Sequence, residues 1–412
     1  MLSAAVDIIN QHGTLAPQTN VTDRTLVFNT QFESQHFACG ASIGPLLLAD
    51  IVPLFLVKCT LPFFMHRLSF GFQHIMAVLM QTLSYLIVAY SENITTSLVG
   101  IVLASIESGI GEVCYLALAS HYNRHTISSW SSGTGGAGIL GALVYAFLTE
   151  KNLANFTIKE TLLSLLVVPV LFFITYFVIL SPSPTVYPIM KLSKPSTWFI
   201  LDVEKSKLPD SRKSSSSENS NCYGRDGPYL RSANSVVSVD MIGIDSTIRT
   251  PSTFTHRVCL MVPLLKYMIS LCFIYYFQYL ISQGLSQFAV FPSDRSFNLD
   301  VVSQLGIFFT RSSVSFVQLP VCVLILLPFL QFSNAAAFFF NVLYQFIPNI
   351  VIQGLIAGAS YANSFYNIHR EVDPDVKEFS LSITSASKAI GIAAAGFSSI
   401  PLQQFICGFK RS

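Results

Sequence analysis

Seven ionisable side chains stand inside otherwise apolar stretches: Asp50, Lys58, Glu107, Glu112, Lys266, Arg311 and Lys388. Holding such a group in a bilayer costs roughly 2.5–3.5 kcal/mol even on the lenient insertion scale, so each is a candidate for work on a charged solute or a proton. Asp50, in LLLADIVP, and Lys58 lie about 80° apart round one helix, near enough to face one cavity or to neutralise each other. Glu112 lies in ESGIGEVC, where Gly109 and Gly111 admit a neighbouring backbone. A carboxylate there can take up and release a proton during transport, or simply bond to the next helix. Arg311, in FFTRSSV, offers a planar fork of donors that fits phosphate oxygens, with Ser312 and Ser313 beside it. It is the first choice for contact with an anionic substrate or a gate, against ordinary snorkelling from a helix end. Hydroxyl groups on such a solute need neutral partners, and Gln283, Tyr361, Asn363, Tyr366 and Asn367 stand near the small residues Gly358, Ala359 and Ser360. Asn363 and Asn367 share a helix face; amides in that setting also join helices.

A second constellation is GAGILG at 136–141, which matches the dinucleotide fingerprint G-x-G-x-x-G. That chemistry needs a strand before the glycines, a helix after them and an acidic residue about 20 positions on. The flanking IVLASIESGIGEVCYLALAS and ALVYAFL are apolar and helical in character, so nucleotide binding is set aside. Read as a helix, Ser129, Gly133, Ala137 and Gly141 form one stripe of small side chains suited to close helix packing.

The elements that must position these groups are membrane helices. Of the 412 residues 51% are hydrophobic and 11% charged, where a soluble domain carries about 25% charged residues. A net charge of +2, without a basic run carrying interleaved aromatics, excludes nucleic acid as a partner and leaves the lipid bilayer as the surrounding medium. Stretches of about 20 apolar residues occur near 42–65, 72–90, 95–119, 129–148, 161–181, 258–281, 301–318, 319–335, 336–362 and 380–405. The expected fold is all-α, a polytopic membrane helix bundle in two halves. An N-terminal half covers 1–190, a Ser-, Lys- and Arg-rich disordered loop 191–257, and a C-terminal half 258–412. Basic residues favour the cytosolic face, which puts that loop in the cytosol. Alternation then puts the sequons at Asn20, Asn93 and Asn155 on the lumenal side, where glycosylation occurs. The eight cysteines form no C-x-x-C pair and read as packing residues. The histidines fall mainly in loops or at helix ends, so neither a metal site nor a catalytic constellation is expected; the chain reads as a non-enzyme without a cofactor.

The run WSSGTGGAGILGAL, with ESGIGEVCYLAL upstream, YLISQGL at 279–285, RSS at 311–313 and ASYANSFYNI at 359–368, resembles the battenin family over nearly the whole chain. That resemblance implies a major-facilitator-like fold of about ten to eleven helices, distantly similar to equilibrative nucleoside transporters. It also implies residence in late endosomal and lysosomal membranes and export of glycerophosphodiesters, supporting lysosomal pH and phospholipid breakdown. In the family a first helix ends at the counterpart of MLSAAVDI, so Met1 is expected to fall inside that helix. There are departures. Lys388 stands where the family suggests an acid and Gln278 where it suggests Glu, while the ending CGFKRS leaves Cys407 outside a prenylation signal. Alternating access between the halves is the leading mechanism. A membrane scaffold recruiting cytosolic trafficking proteins through the central loop is the alternative, although an anchor has no need of the intramembrane charges.

Overall fold

The computed structural model describes residues 44–149, 154–181, 183, 186, 198, 254–285, 296–344 and 350–411. Before the central loop come α1 (Gly44–Phe64), α2 (Phe70–Ala89), α3 (Ile94–Ala119), α4 (His125–Thr149), α5 (Ile158–Ser164) and α6 (Val167–Ile174). After it come α7 (Phe254–Met261), α8 (Leu265–Tyr279), α9 (Ser296–Ser312), α10 (Val321–Tyr344), α11 (Ile350–Glu371) and α12 (Pro374–Arg411). Single π turns extend α6 over Thr175–Ile179 and α8 over Leu280–Leu285. Among the described residues there is no β-strand, and eight helical segments are long and apolar enough to cross a membrane. The chain is an all-α polytopic membrane protein.

Local sequence sets the helix starts. The Ser69 hydroxyl accepts from Phe72 N at 3.3 Å to cap α2, and Thr157 with Glu160 forms a reciprocal capping box at α5. Asn93 and Asn155 are both exposed, and they lie at one end of the bundle, where the Lys159 ammonium sits 4.2 Å over the Tyr90 ring. This is the sequon end. At the opposite end, Tyr122 Oη donates to Ser181 O at 2.8 Å and Ser69 N to Trp198 O at 3.1 Å. This is the loop end. Most of 191–257 lies outside the described residues, as do Asn20 and the start of the chain. Within the loop's expected limits, Trp198 packs against Phe72 and Phe254–Arg257 already belong to α7.

Six expected spans, from 42–65 to 258–281, coincide with helices to within a few residues, but the later boundaries differ. The expected spans 319–335 and 336–362 give way to α10 and α11, with ends at Tyr344 and Glu371. The reason lies in α11, which carries Gln353, Ser360, Asn363, Ser364, Asn367 and His369 as buried residues. A helix surrounded by protein finds polar partners there and needs no lipid-facing apolar coat, so its hydropathy does not mark it. One core joins both sets, bringing Ile51 of α1, Leu116 of α3 and Ile127 of α4 together with Leu271 of α8, Phe365 of α11 and Leu381 of α12.

The small-residue stripe of α4 is corrected. Ser129, Gly133, Ala137 and Gly141 are all exposed, with nothing within 4 Å of a notional Cβ at Gly133 or Gly141. The face of α4 that packs within the chain is the neighbouring one: Ser128 and Ser132 bond to α9 and the turn after it, and Gly135 lies against the Phe308 backbone. Close backbone approach occurs instead between α9 and α11. A Cβ at Gly358 would meet Thr310 Oγ1 and Ile307 O, and one at Gly354 would meet Ser303 O. The cysteine reading is corrected once: Cys59, Cys114, Cys272 and Cys322 are free thiols, whereas Cys259 is disulfide-bonded.

Candidate functional site

Gly109 of α3 sets the site's first dimension. A notional Cβ there would come within 2.9 Å of Val57, so α1 and α3 lie close enough for Lys58 to reach across one turn further on. Its ammonium pairs with the Glu112 carboxylate. Lys388 of α12 approaches the same carboxylate from the C-terminal set, at 2.8 Å from Oε1 and 2.7 Å from Oε2. Tyr361 of α11 completes the shell by donating its hydroxyl to Oε1 at 3.1 Å. The group is withdrawn from solvent, with side-chain exposures of 1% for Lys58, 12% for Glu112 and 14% for Lys388. A buried carboxylate persists only when paired and hydrogen-bonded, and this one has both forms of support.

Arg311 lies on the other side of Tyr361. Its guanidinium carbon is 4.2 Å above the Tyr361 ring, while Nη1 donates to Thr134 Oγ1 at 2.9 Å and Nη2 to Tyr275 Oη at 3.1 Å. Nε is buried without a hydrogen-bond partner. The side chain therefore points into the bundle and does not snorkel. Its partners are hydroxyls and an aromatic face, which hold the cation in place without neutralising it. Two cations thus pair with one carboxylate and a third lies across the Tyr361 ring, so the cluster carries a positive excess where α1, α3 and α4 meet α8, α9, α11 and α12. Low-dielectric surroundings strengthen the attraction of such an excess for an anion.

An aromatic chain leads away from this centre. Trp130 Nε1 donates to Tyr361 Oη at 3.3 Å, Tyr115 stacks on Trp130 at 5.4 Å, and Tyr115 Oη meets Nδ1 of the buried His74. His74 in turn stacks on Tyr176 in the first π turn, at 4.3 Å between centroids. These contacts form a continuous path of side chains from Tyr361 of α11 to α2 and the π turn after α6.

The structure gathers Glu112, Lys58, Tyr361 and Arg311 into one centre and sends other candidates elsewhere. Asp50 does not pair with Lys58; it accepts from Ser105 Oγ at 2.7 Å, about 12 Å along the same helix. Asn363 and Asn367 serve the link before α10, since Asn363 Oδ1 accepts from Leu319 N at 2.8 Å and Asn367 Nδ2 donates to Leu319 O at 3.2 Å. Tyr366 accepts from Gln318 Nε2 at 2.9 Å beside them. Gln283 belongs to the second π turn, but its side chain lies outside the described residues. Glu107 stays on the α3 face beside Gly111, and Lys266 pairs with Glu371 at 3.0 Å nearer the loop end. Thr134, Tyr275 and Trp130 were not singled out in the sequence. Hydroxyls and an indole in apolar helices carry no local mark of function, although Tyr275 in CFIYYFQY could have been flagged as a polar tip among aromatics. Among the described residues, no group of three His, Cys, Asp or Glu side chains is arranged to hold a metal ion.

Comparison with known proteins adds to this geometry. The family model described as CLN3 protein matches residues 1–409. Battenin of Canis lupus familiaris is 32% identical over 99% of this chain and 87% of its own length. Protein BTN1 of Eremothecium gossypii is 31% identical over 89% of this chain and 87% of its own. Protein btn-1 of Neurospora crassa is 29% identical over 90% and 82%. With a polytopic helical fold, an intramembrane charge cluster and a match spanning all but the last few residues, the chain belongs to the CLN3 (battenin) family.

Proposed function

We propose that this protein is a carrier of the lysosomal and late endosomal membrane that exports small anionic solutes, glycerophosphodiesters foremost, by rocking its two helical sets about the Glu112 centre. The observation that carries the reading is Arg311, a guanidinium inside the bundle, at the junction of the two sets, held by Thr134, Tyr275 and Tyr361 and, among the described residues, by no carboxylate. A phosphodiester monoanion is the right charge and shape for that fork. The lysosomal location and the solute class follow the family resemblance. The orientation, with the loop end in the cytosol and Asn93 and Asn155 in the lumen, is supported by the basic residues of the central loop.

Glu112 holds Lys58 and Lys388 as an internal anion. An entering phosphate competes for the same ammonium groups, and proton uptake by Glu112 requires both to move away. Efflux of labelled glycerophosphodiesters from proteoliposomes tests the reading. Saturable flux is expected in the parent chain, reduced by more than about tenfold in Arg311→Ala. Flux independent of lumenal pH would remove proton coupling only. Absence of flux would remove the carrier reading and favour the scaffold, in which cytosolic trafficking proteins bind the central loop.

A further inference from the structure

The bonds that described side chains make between the two helical sets are concentrated between Glu112 and the loop end. Nearest the centre, Ser382 Oγ donates to Val113 O at 3.4 Å, and the hydroxyls of Ser132 and Ser312 are 2.8 Å apart. One turn further out, Ser128 meets Ser315 at 2.5 Å and the Phe63 and Phe379 rings pack edge to face at 5.7 Å. At the mouth, Arg257 of α7 donates through Nη1 to Phe63 O at 2.5 Å and lies against the His66 ring nitrogens at 3.3 and 3.2 Å. Beside it, His121 at the end of α3 approaches Glu378 of α12 at 3.5 Å. A narrow crevice at this level is lined by Pro62, His66, Arg257, Asp375 and Glu378. Towards the sequon end the sets still touch, since a Cβ at Gly138 of α4 would meet the Gln304 side chain of α9, but that contact is packing, without a hydrogen bond or ion pair among the described side chains.

We propose that Arg257 with His66 and the Phe63 carbonyl, and Glu378 with His121, form a two-point gate over the Phe63–Phe379 ring pair, closed in this conformation. The proposal rests on the carrier reading above and names the residues that must part for the solute to leave at the loop end. Each point joins the two sets: Arg257 and Glu378 belong to the second, their partners to the first. Parting the sets therefore breaks both together, which makes the gate a two-state element. Arg257 is 8% exposed and the His121 and Glu378 side chains 6% and 18%, so both points are closed to water in this conformation, and parting the sets admits the water that replaces the lost bonds.

The test uses Ser382→Cys, at a fully buried position between gate and centre, labelled with a membrane-impermeant maleimide from the loop-end face and compared with the chain lacking that cysteine. Slow labelling is expected with the gate intact. In Arg257→Ala/Glu378→Gln it should rise about tenfold, as loss of ~1.4 kcal/mol of closed-state preference gives. Glu378→Gln alone, the milder change, should give a smaller rise if the double variant is poorly folded. A disulfide formed in Ser132→Cys/Ser312→Cys should stop both labelling and flux, and reductant should restore both. Equal labelling of intact and gate-altered chains, or fast labelling of the intact chain, overturns the gate. Faster labelling in the gate variants without solute flux in any chain leaves the gate standing and overturns the assigned transport instead.

Discussion

The Arg311 guanidinium carbon sits over the Tyr361 ring, 4.2 Å from its centroid, while the Tyr361 hydroxyl donates to Glu112 at 3.1 Å. One tyrosine therefore separates a cation that has no carboxylate among the described residues from a carboxylate that already has two cations. Direct Arg311–Glu112 pairing would consume the positive charge available to a solute, and the ring prevents it.

Tyr361→Phe keeps the ring under Arg311 but removes the donor to Glu112 and the acceptor for Trp130. A stability loss of about 1 kcal/mol is expected, with a changed emission of Trp130, one of only two tryptophans in the chain. Tyr361→Ala also removes the face under the guanidinium and should cost several-fold more activity than Tyr361→Phe. Equal activity in the two variants would show that the ring does not position Arg311. Thermal melting, fluorescence and efflux on the same preparations separate these effects.

Glu112→Gln leaves two buried ammonium groups without a counter-ion and should destabilise the purified protein by ~3–5 kcal/mol. Combining it with Lys58→Met removes one of the stranded charges at the most buried position and should recover part of that loss. A double variant less stable than Glu112→Gln alone would contradict the pairing. Thermal unfolding in one detergent condition provides the comparison.

Arg311→Lys keeps the charge but loses the fork that spans Thr134 and Tyr275. Its expected signature is a raised KM for anionic solute at nearly unchanged protein stability, with Arg311→Ala worse in both respects. An unchanged KM in Arg311→Lys would assign Arg311 a structural role only.

Gly358→Ala places a methyl group into the α9 backbone at Ile307 and should cost ~1–3 kcal/mol or more through overpacking. Gly133→Ala and Gly141→Ala meet open space and should be neutral, or stabilising by up to ~1 kcal/mol through helix propensity. Reversal of this order would mean that the α4 stripe, and not the α9–α11 approach, holds the fold.

Asn363→Ala and Asn367→Ala release the peptide groups of Leu319, which they bond from opposite sides. Loss of stability without a change in solute preference is the expected outcome. A shift in preference among glycerophosphodiesters of different head group would return these amides to the solute site.

The sequence by itself determined the medium, the class and the list of unusual groups. Low charge and long apolar runs leave no alternative to a membrane helix bundle, and an ionised side chain within such a run stands out wherever it occurs. Glu112, Lys58, Arg311 and Lys388 were legible on that ground alone. Only the tertiary structure decided which of them meet. Lys58 lies on the same helix as Asp50 yet bonds Glu112, because Gly109 draws α3 against α1, while Lys388 arrives from a helix 276 residues further along the chain. Helix periodicity fixes the angle between residues on one rod, but it carries no information on which rod will lie beside it or on how far each is rotated about its axis. For the same reason the small residues of α4 revealed that backbones approach closely somewhere without revealing where. The approach came at Gly354 and Gly358, on a helix whose polar residues hide it from hydropathy because protein, not lipid, surrounds it.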